Sequence, residues 1–300
     1  MGTDLRVSGE CRSIQSTLSR SNGDRTLEAD LIRLAYFDCI AGISGDSALG
    51  ALVDAGVDRD ELRAHLATLP LEPFELEFEE VDEHGVRATR AEVRTSGTTG
   101  VIRTYASVRA LLDASDLPPD ALHLAHRIFR RYAEAEARVQ RRDIETVTFH
   151  ELAGLDAIVD VAGTALGLTM LGVERVFSSA VPTGLGMARS EHGAMPIPSA
   201  TVVELLRGAP VFSRGVSAEL TTATGAAILA ATVEGYGEIP ALRVEEAGYG
   251  AGVGRLDFPN VTRVLIGIEE PATSLPSVPG VPELRLVPEP REPEDPGEAG

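Results

Sequence analysis

The fold is decided by the stretch LIRLAYFDCIAGISGDSALGALVDAG, which spans residues 31–56. Its first eight residues form a compact apolar run that is typical of a buried strand. A turn of small residues follows, and SALGALVDAG then has the composition of a helix. The stretch therefore predicts a strand, a glycine-rich loop and a helix in succession.

Strand and helix patterns interleave through the rest of the chain as far as residue 270. Helical patterns predict further helices at 58–68, 105–114, 120–142 and 155–171, and from near Pro198 and Thr224. Strand patterns lie at 74–81, 87–94, 147–149, 176–181, 242–246 and 261–268. We therefore expect an α/β or mixed α+β fold around a mixed sheet, in two lobes covering residues 31–145 and 146–270.

The two ends of the chain differ from this folded unit. Residues 1–30 are polar and lack periodicity, and residues 271–300 are rich in proline and glutamate. Neither segment carries enough apolar surface to offset the entropy lost on ordering. We predict a flexible extension over residues 1–30 and a disordered tail over residues 271–300.

The charged residues exclude several classes of protein. All 27 basic residues are arginine, against 46 acidic ones, and the net charge is -19. A chain without lysine cannot form a Walker-A phosphate clamp, a pyridoxal Schiff base or the active site of a protein kinase. The acidic surplus argues against nucleic acid as a partner. With two cysteines and no long apolar run or leader, we expect a cytoplasmic protein that does not enter a membrane.

The first candidate site lies in the glycine loop after the first strand. Asp38 ends the strand, and Ser44, Gly45 and Asp46 open the helix. The free N–H groups of a helix start can bind an anion, and the carboxylates can hold a metal. The alternative is structural, with Asp46 as the helix N-cap and the glycines serving tight turns. Cys39 in the same loop is either a soft metal ligand or a small buried residue.

The second candidate is TFHELAGLDAIVD, residues 148–160. His150 and Glu151 leave a short strand, while Asp156 and Asp160 are four apart and therefore share one helix face. Imidazole and carboxylate ligands suit nickel, manganese or zinc. A solvated helix face would show the same acid spacing, but the apolar residues around Asp160 indicate a buried helix, where a carboxylate needs a partner.

The third candidate is a set of glycine-containing segments that we interpret as loops. They are PTGLG at 182–186, RSEHG at 189–193, TTATG at 221–225 and GYGAG at 248–252. Their hydroxyl, imidazole and guanidinium groups can bind a phosphate or carboxylate, and Arg189 is the only obvious cation among them. As an alternative, Thr224 could N-cap the helix that follows it.

Five segments together resemble the LarC family of nickel-insertion proteins. They are FDCIAGISGDSALGALVDAG, VTFHELAGLDAIVDVAG, ARSEHGAMPIPSATVVELL, LTTATGAAILA and EEAGYGAGVGRLDFPNVTRVLIG. The resemblance implies insertion of nickel into pyridinium-3,5-bisthiocarboxylic acid mononucleotide, with consumption of CTP, which would bind together with Mg²⁺ or Mn²⁺. It also implies lactate racemase, which uses the nickel-pincer cofactor, as the client, and we expect a homo-oligomer.

The chemistry of that reaction suggests roles for the candidate residues. We expect His150, His192 and Asp156 to bind nickel, and His150, Glu151 and Asp160 to serve catalysis. The expected contacts with nucleotide or phosphate are Asp38, Ser44, Gly45, Asp46, Arg189, Thr222, Thr224 and Gly225.

The chain departs from the family pattern in two places. It has no histidine from residue 85 to residue 122, where family members commonly carry a histidine-rich stretch. Full-length members also continue into a C-terminal domain associated with CTP binding, where this chain has the proline-rich tail. Two hypotheses remain: an enzyme that works with a separate C-terminal-domain subunit, and a non-catalytic carrier or sensor of nickel or nucleotide.

Overall fold

The computed structural model describes residues 31–95, 103–149, 154–190 and 193–270. The strands are β1 (Arg33–Asp38), β2 (Phe74–Glu83), β3 (Val86–Thr95), β4 (Arg103–Thr104), β5 (Thr148–Phe149), β6 (Arg175–Ser178), β7 (Val181–Pro182), β8 (Gly186–Ser190), β9 (Gly193–Ile197), β10 (Val211–Phe212), β11 (Val233–Tyr236), β12 (Leu242–Ala251) and β13 (Val261–Glu269). The helices are α1 (Gly45–Asp54), α2 (Arg59–Leu66), α3 (Tyr105–Asp113), α4 (Pro119–Gln140), α5 (Leu155–Met170), α6 (Ala200–Leu205) and α7 (Ala223–Thr232).

A seven-stranded sheet organises the fold, in the order β11-β6-β1-β13-β12-β3-β2. β1 lies inside it, parallel to β6 and antiparallel to β13. The β12–β3 pair is parallel and the β2–β3 pair is antiparallel, so the sheet is mixed. This confirms the predicted fold class and the predicted antiparallel pairing of residues 74–81 with 87–94.

The helices form layers on the sheet. α1 packs on β12, β3 and β13, and α7 contacts β6. α5 lies against α1, while α4 packs on α5 and α7 from outside. Within the described ranges, no helix combines the length and the apolar character needed to cross a membrane.

β1 is buried on both faces, as its apolar run predicts. Ala35 and Phe37 belong to the large core cluster that contains the inner faces of α1 and α5. Leu34 and Tyr36, which alternate with them, are also buried. The strand therefore holds the loop that follows it at the centre of the molecule.

The GYGAG segment is a strand, which corrects our interpretation of residues 248–252 as a ligand loop. β12 continues to Ala251, five residues beyond the predicted end of the strand at 246. A Cβ at Gly250 would overlap the backbone carbonyl of Ser47 in α1. Glycine is needed here because helix and strand touch backbone to backbone, and no ligand-binding role is required to explain it.

Other expected loops also contain strands. The RSEHG segment overlaps a β8–β9 hairpin, in which Arg189 pairs with Ala194. The predicted strand 176–181 is divided into β6 and β7 by Ser179 and Ala180. The strands β4, β8, β9, β10 and β11 were not predicted from the sequence.

The backbone contact at Gly250 leads to a prediction about the stability of the fold. Gly250→Ala should lower the free energy of unfolding by about 2 kcal/mol or more, because a backbone carbonyl cannot move aside as a side chain can. Gly163→Ala in α5 is the matched control, since its Cβ would meet only side chains, those of Leu49 at 3.0 Å and Leu66 at 3.4 Å, and alanine favours a helix. Urea denaturation measures both changes. An equal or smaller loss for Gly250→Ala would contradict the proposed backbone contact.

Candidate functional site

The starts of α1 and α7 meet at the end of the sheet, and this meeting point forms the candidate site. The loop after β1 forms a bridge between Ile43 and Thr221, and the N–H of Thr222 donates to the Ile43 carbonyl at 3.1 Å. A Cβ at Gly225 would overlap the same carbonyl. The first candidate segment and the TTATG segment of the third candidate therefore come together.

Hydroxyl groups complete the first turns of both helices. Ser44 is the N-cap of α1, so Asp46 is not, and the N–H of Ser44 donates to Ser47 Oγ at 2.9 Å. Thr222, not Thr224, is the N-cap of α7, and its Oγ1 accepts from the N–H of Gly225 at 3.3 Å. The alternatives that placed N-caps at Asp46 and Thr224 are wrong by two residues each.

Asp46 lies in the first turn of α1 with one carboxylate oxygen satisfied and one not. Its Oδ1 accepts from the Ser44 hydroxyl. Its Oδ2 is buried and has no hydrogen-bond partner within the described residues. Burial raises the pKa of Asp46, and hydrogen bonds from Ser44 and backbone N–H groups only partly offset this effect.

Asp160 reaches the same place from α5. A Cβ at Gly45 would lie 2.7 Å from Asp160 Oδ2 and 2.7 Å from the Thr224 methyl group, so these three residues are in contact. Asp160 is 8% exposed. Burial raises its pKa well above the usual range, and the carboxylates of Asp46 and Asp156 raise it further. Asp156, one turn earlier, is exposed.

The side chain of Asp38 points away from the start of α1, where the other candidate residues of the loop lie. It accepts from Arg263 Nη2 at 2.5 Å. Because Phe37 faces the helices, its neighbour Asp38 lies on the opposite face of the sheet. The structure therefore ties Asp38 to a cation of β13 and not to the start of α1.

Cys39 has the environment of a buried apolar residue. Its Sγ contacts Ser178 Oγ at 3.6 Å, and burial raises the pKa of the thiol to about 12. A thiol with this pKa stays protonated at neutral pH when no metal is bound. This favours the structural interpretation of Cys39.

Thr262 is a residue of this region that the sequence did not indicate. Its hydroxyl donates to the Gly42 carbonyl at 2.9 Å and lies 2.8 Å from Ser47 Oγ. It thus joins the glycine turn to the first turn of α1. In the sequence it is one of several alternating strand residues, and no local pattern distinguishes it.

The second candidate segment is described only on its two flanks. Phe149 packs against Tyr105, Phe129 and Tyr132, with a ring-centroid distance of 4.9 Å to Tyr132. Gly154 is the N-cap of α5. His150, Glu151 and His192, and the side chain of Arg189, lie outside the described residues. Within those that are described, no three His, Cys, Asp or Glu residues form a group that could hold a metal ion.

Comparison with known proteins identifies the family. The sequence model of the nickel insertion protein family matches residues 35–281. The chain belongs to this family. The match includes every candidate site residue, both at the junction of α1, α5 and α7 and in the segments outside the described ranges.

Curated relatives support this membership. A protein of Desulfitobacterium hafniense (strain DSM 10664 / DCB-2) is named pyridinium-3,5-bisthiocarboxylic acid mononucleotide nickel insertion protein. It is 42% identical over 236 residues, which are 79% of this chain and 58% of the relative. Putative nickel insertion proteins of Geobacter sp. (strain M21) and Gloeobacter violaceus (strain ATCC 29082 / PCC 7421) are 44% and 46% identical over 239 and 240 residues.

The aligned region is only part of these relatives. It covers 79% of this chain in each case, but 62% of the Geobacter protein and 57% of the Gloeobacter protein. The chain thus spans about three-fifths of the length of these nickel insertion proteins. No solved structure matches the chain.

The raised pKa of the buried Asp160 carboxyl predicts how the free energy of unfolding depends on pH. A carboxyl with a raised folded-state pKa stabilises the fold below its ordinary pKa of about 4, and this contribution is lost as the pH rises through the raised value. Asp160→Asn should therefore increase the free energy of unfolding in EDTA by an amount that grows as the pH rises above about 4. Asp120→Asn is the control, because Asp120 is an exposed acid in the first turn of α4. A gain that does not depend on pH would contradict the raised pKa.

Cys39 provides a second prediction for this region. In a Cys11→Ser variant, Cys39 is the single thiol of the chain. We expect it to stay unreactive towards a disulfide reagent at about pH 8 in the native protein and to react fully after unfolding, because a buried thiol is neither ionised nor accessible. Stoichiometric reaction of the native protein would show that Cys39 is available as a ligand.

Proposed function

We propose that this chain inserts nickel into pyridinium-3,5-bisthiocarboxylic acid mononucleotide, the reaction named for its D. hafniense relative. The observation that carries the proposal is the family match over residues 35–281, which includes all the candidate site residues. The geometry supports it, because two buried carboxylates without a basic partner within the described residues suit a cationic ligand such as nickel or a pyridinium ring.

The mononucleotide would be held at the starts of α1 and α7. Ser44, Thr222 and Thr224 supply hydroxyl groups at these helix starts, and Gly45 and Gly225 allow the close approach of the two helix starts. Arg189 would pair with the phosphate. The N–H groups of Ser44 and Gly225 are already bound to side chains, so hydroxyl groups carry more of the contact than these two amides. Asp38, paired with Arg263, would contribute only indirectly.

The metal and the proton would be handled by the second segment. We propose that His150, His192 and Asp156 bind the incoming nickel, which is a substrate of the reaction. Formation of a nickel–carbon bond releases a proton from the pyridinium ring, and His150, Glu151 and Asp160 are the proposed acceptors. A carboxyl with a raised pKa is a stronger base when ionised, which supports Asp160 in this group.

The wider reaction involves further components that we also propose. CTP, with Mg²⁺ or Mn²⁺, would be bound by a C-terminal domain that acts as a partner subunit. The product would serve lactate racemase, and the chain would work as a homo-oligomer in the cytoplasm.

A second function is favoured by one observation. The chain has no histidine from residue 85 to residue 122, where the family resemblance leads us to expect a histidine-rich stretch, and we propose that this lowers its capacity to hold nickel. The second candidate is therefore a carrier or sensor that binds nickel or nucleotide without catalysing insertion.

A reconstitution separates the two functions. The purified chain is mixed with the bisthiocarboxylate mononucleotide, Ni²⁺ and CTP, with and without the partner domain, and activation of apo-lactate racemase is measured. Activation under either condition supports insertion. If the chain binds nickel but does not activate the racemase under either condition, the insertion function is excluded and the carrier or sensor function is supported.

The proposed ligands are tested by nickel calorimetry. His150→Ala and His192→Ala should each weaken nickel binding by at least about 10-fold, because a lost imidazole leaves a coordination position to water. His123→Ala is the control, since His123 is exposed on α4. Unchanged affinity in both site variants would remove these histidines from the nickel site.

A further inference from the structure

Two acidic side chains, the part-buried Asp46 of α1 and the buried Asp160 of α5, meet at the start of α1 with no described cation paired to either. Asp160 makes no hydrogen bond or ion pair with any described residue, although it is only 8% exposed. Asp46 Oδ2 is buried and equally without a partner in that part of the chain. Unpaired buried carboxylates are costly, so a folded protein keeps them only with a proton or a bound cation.

The helix dipole explains why acidic residues are favoured at Asp46 and Asp156, but it does not explain Asp160. Asp46 and Asp156 both occupy the second position of a helix, where a negative charge is favoured. Asp160 lies in the second turn of α5, beyond the reach of that effect. The Asp160 carboxylate instead lies against Gly45, at the start of α1.

Arg90, the one arginine with a resolved effect on Asp46, does not neutralise the pair. Arg90 lowers the pKa of Asp46 slightly, but it is the last of the causes that act on this carboxyl. The Arg90 guanidinium is bound to Glu83, at 3.3 Å, and to Glu79, at 3.9 Å. The remaining charged neighbour, Asp156, adds further negative charge.

Among the described residues, the donor atoms around the pair are oxygen atoms. They are the carboxylates of Asp46 and Asp160 and the hydroxyl of Ser44, which already contacts Asp46. No described imidazole or thiolate joins them. Hard divalent cations such as Mg²⁺ and Mn²⁺ prefer such oxygen ligands and complete their coordination shell with water.

We propose that Asp46 and Asp160 together bind a divalent cation of the Mg²⁺ or Mn²⁺ type at the start of α1. This site is separate from the histidines assigned above to nickel. The bound cation would offset the two negative charges, which otherwise repel a phosphate from the helix starts of α1 and α7. It would also make Asp160 a metal ligand and leave proton removal to His150 and Glu151.

Binding of Mn²⁺ tests the site directly, without nickel, CTP or the mononucleotide. Tag-free protein is titrated with Mn²⁺ and free Mn²⁺ is measured by electron paramagnetic resonance. We expect a site in the unaltered chain whose affinity falls at least about 10-fold in Asp160→Asn and in Asp46→Asn. Asp120→Asn, which changes an acid at the second position of α4, should bind as the unaltered chain does.

Thermal unfolding distinguishes a bound cation from a shared proton. In EDTA, Asp160→Asn should melt at a higher temperature than the unaltered chain, because one buried charge is gone. Mn²⁺ should raise the melting temperature of the unaltered chain but not that of Asp160→Asn. If Mn²⁺ stabilises neither protein, or both equally, the pair holds a proton and the proposal is overturned. Either result leaves the nickel reconstitution unaffected, so the two proposals fail separately.

Discussion

Direct backbone contact between α1 and its neighbours is the constraint on which the site depends. Gly250 lets the middle of α1 rest on β12, and Gly225 lets α7 touch the loop just before α1. With both sides of the helix start held by main-chain atoms, the first turn cannot shift without breaking the contacts. A side chain arriving from α5, such as Asp160, therefore meets a fixed group of atoms, as a binding site requires.

Because the chain has no lysine, arginine is its only permanently cationic side chain. The described arginines nearest the core are engaged with carboxylates, as in Arg263 with Asp38, Arg175 with Glu269 and Arg103 with Glu72. None of them reaches Asp46 or Asp160 closely enough for an ion pair. A ligand that carries its own positive charge can satisfy this junction, which agrees with the proposed binding of a metal ion and a pyridinium ring.

The elements themselves were largely predictable, because each depends on local periodicity. The helices α4 and α5 and the pairing of β2 with β3 agree with their sequence patterns. The errors arose where a contact between distant parts of the chain, and not the local pattern, decides the structure. Residues 248–252 look like a loop because glycine is rare in strands, but here it serves the contact with α1. The N-cap of α7 is Thr222 rather than Thr224 because Thr222 is also tied through its N–H to Ile43, which lies far away in sequence.

The sequence by itself determined the strand–loop–helix unit, the spacing of Asp156 and Asp160 on one helix, and the family, because these are properties of contiguous residues. Only the tertiary structure decided which candidate residues meet. It brought Asp160 to Gly45 and Asp46, and it turned Asp38 away to Arg263. The physical reason is that local spacing places a side chain on its own helix or strand, whereas packing between elements decides what that side chain faces.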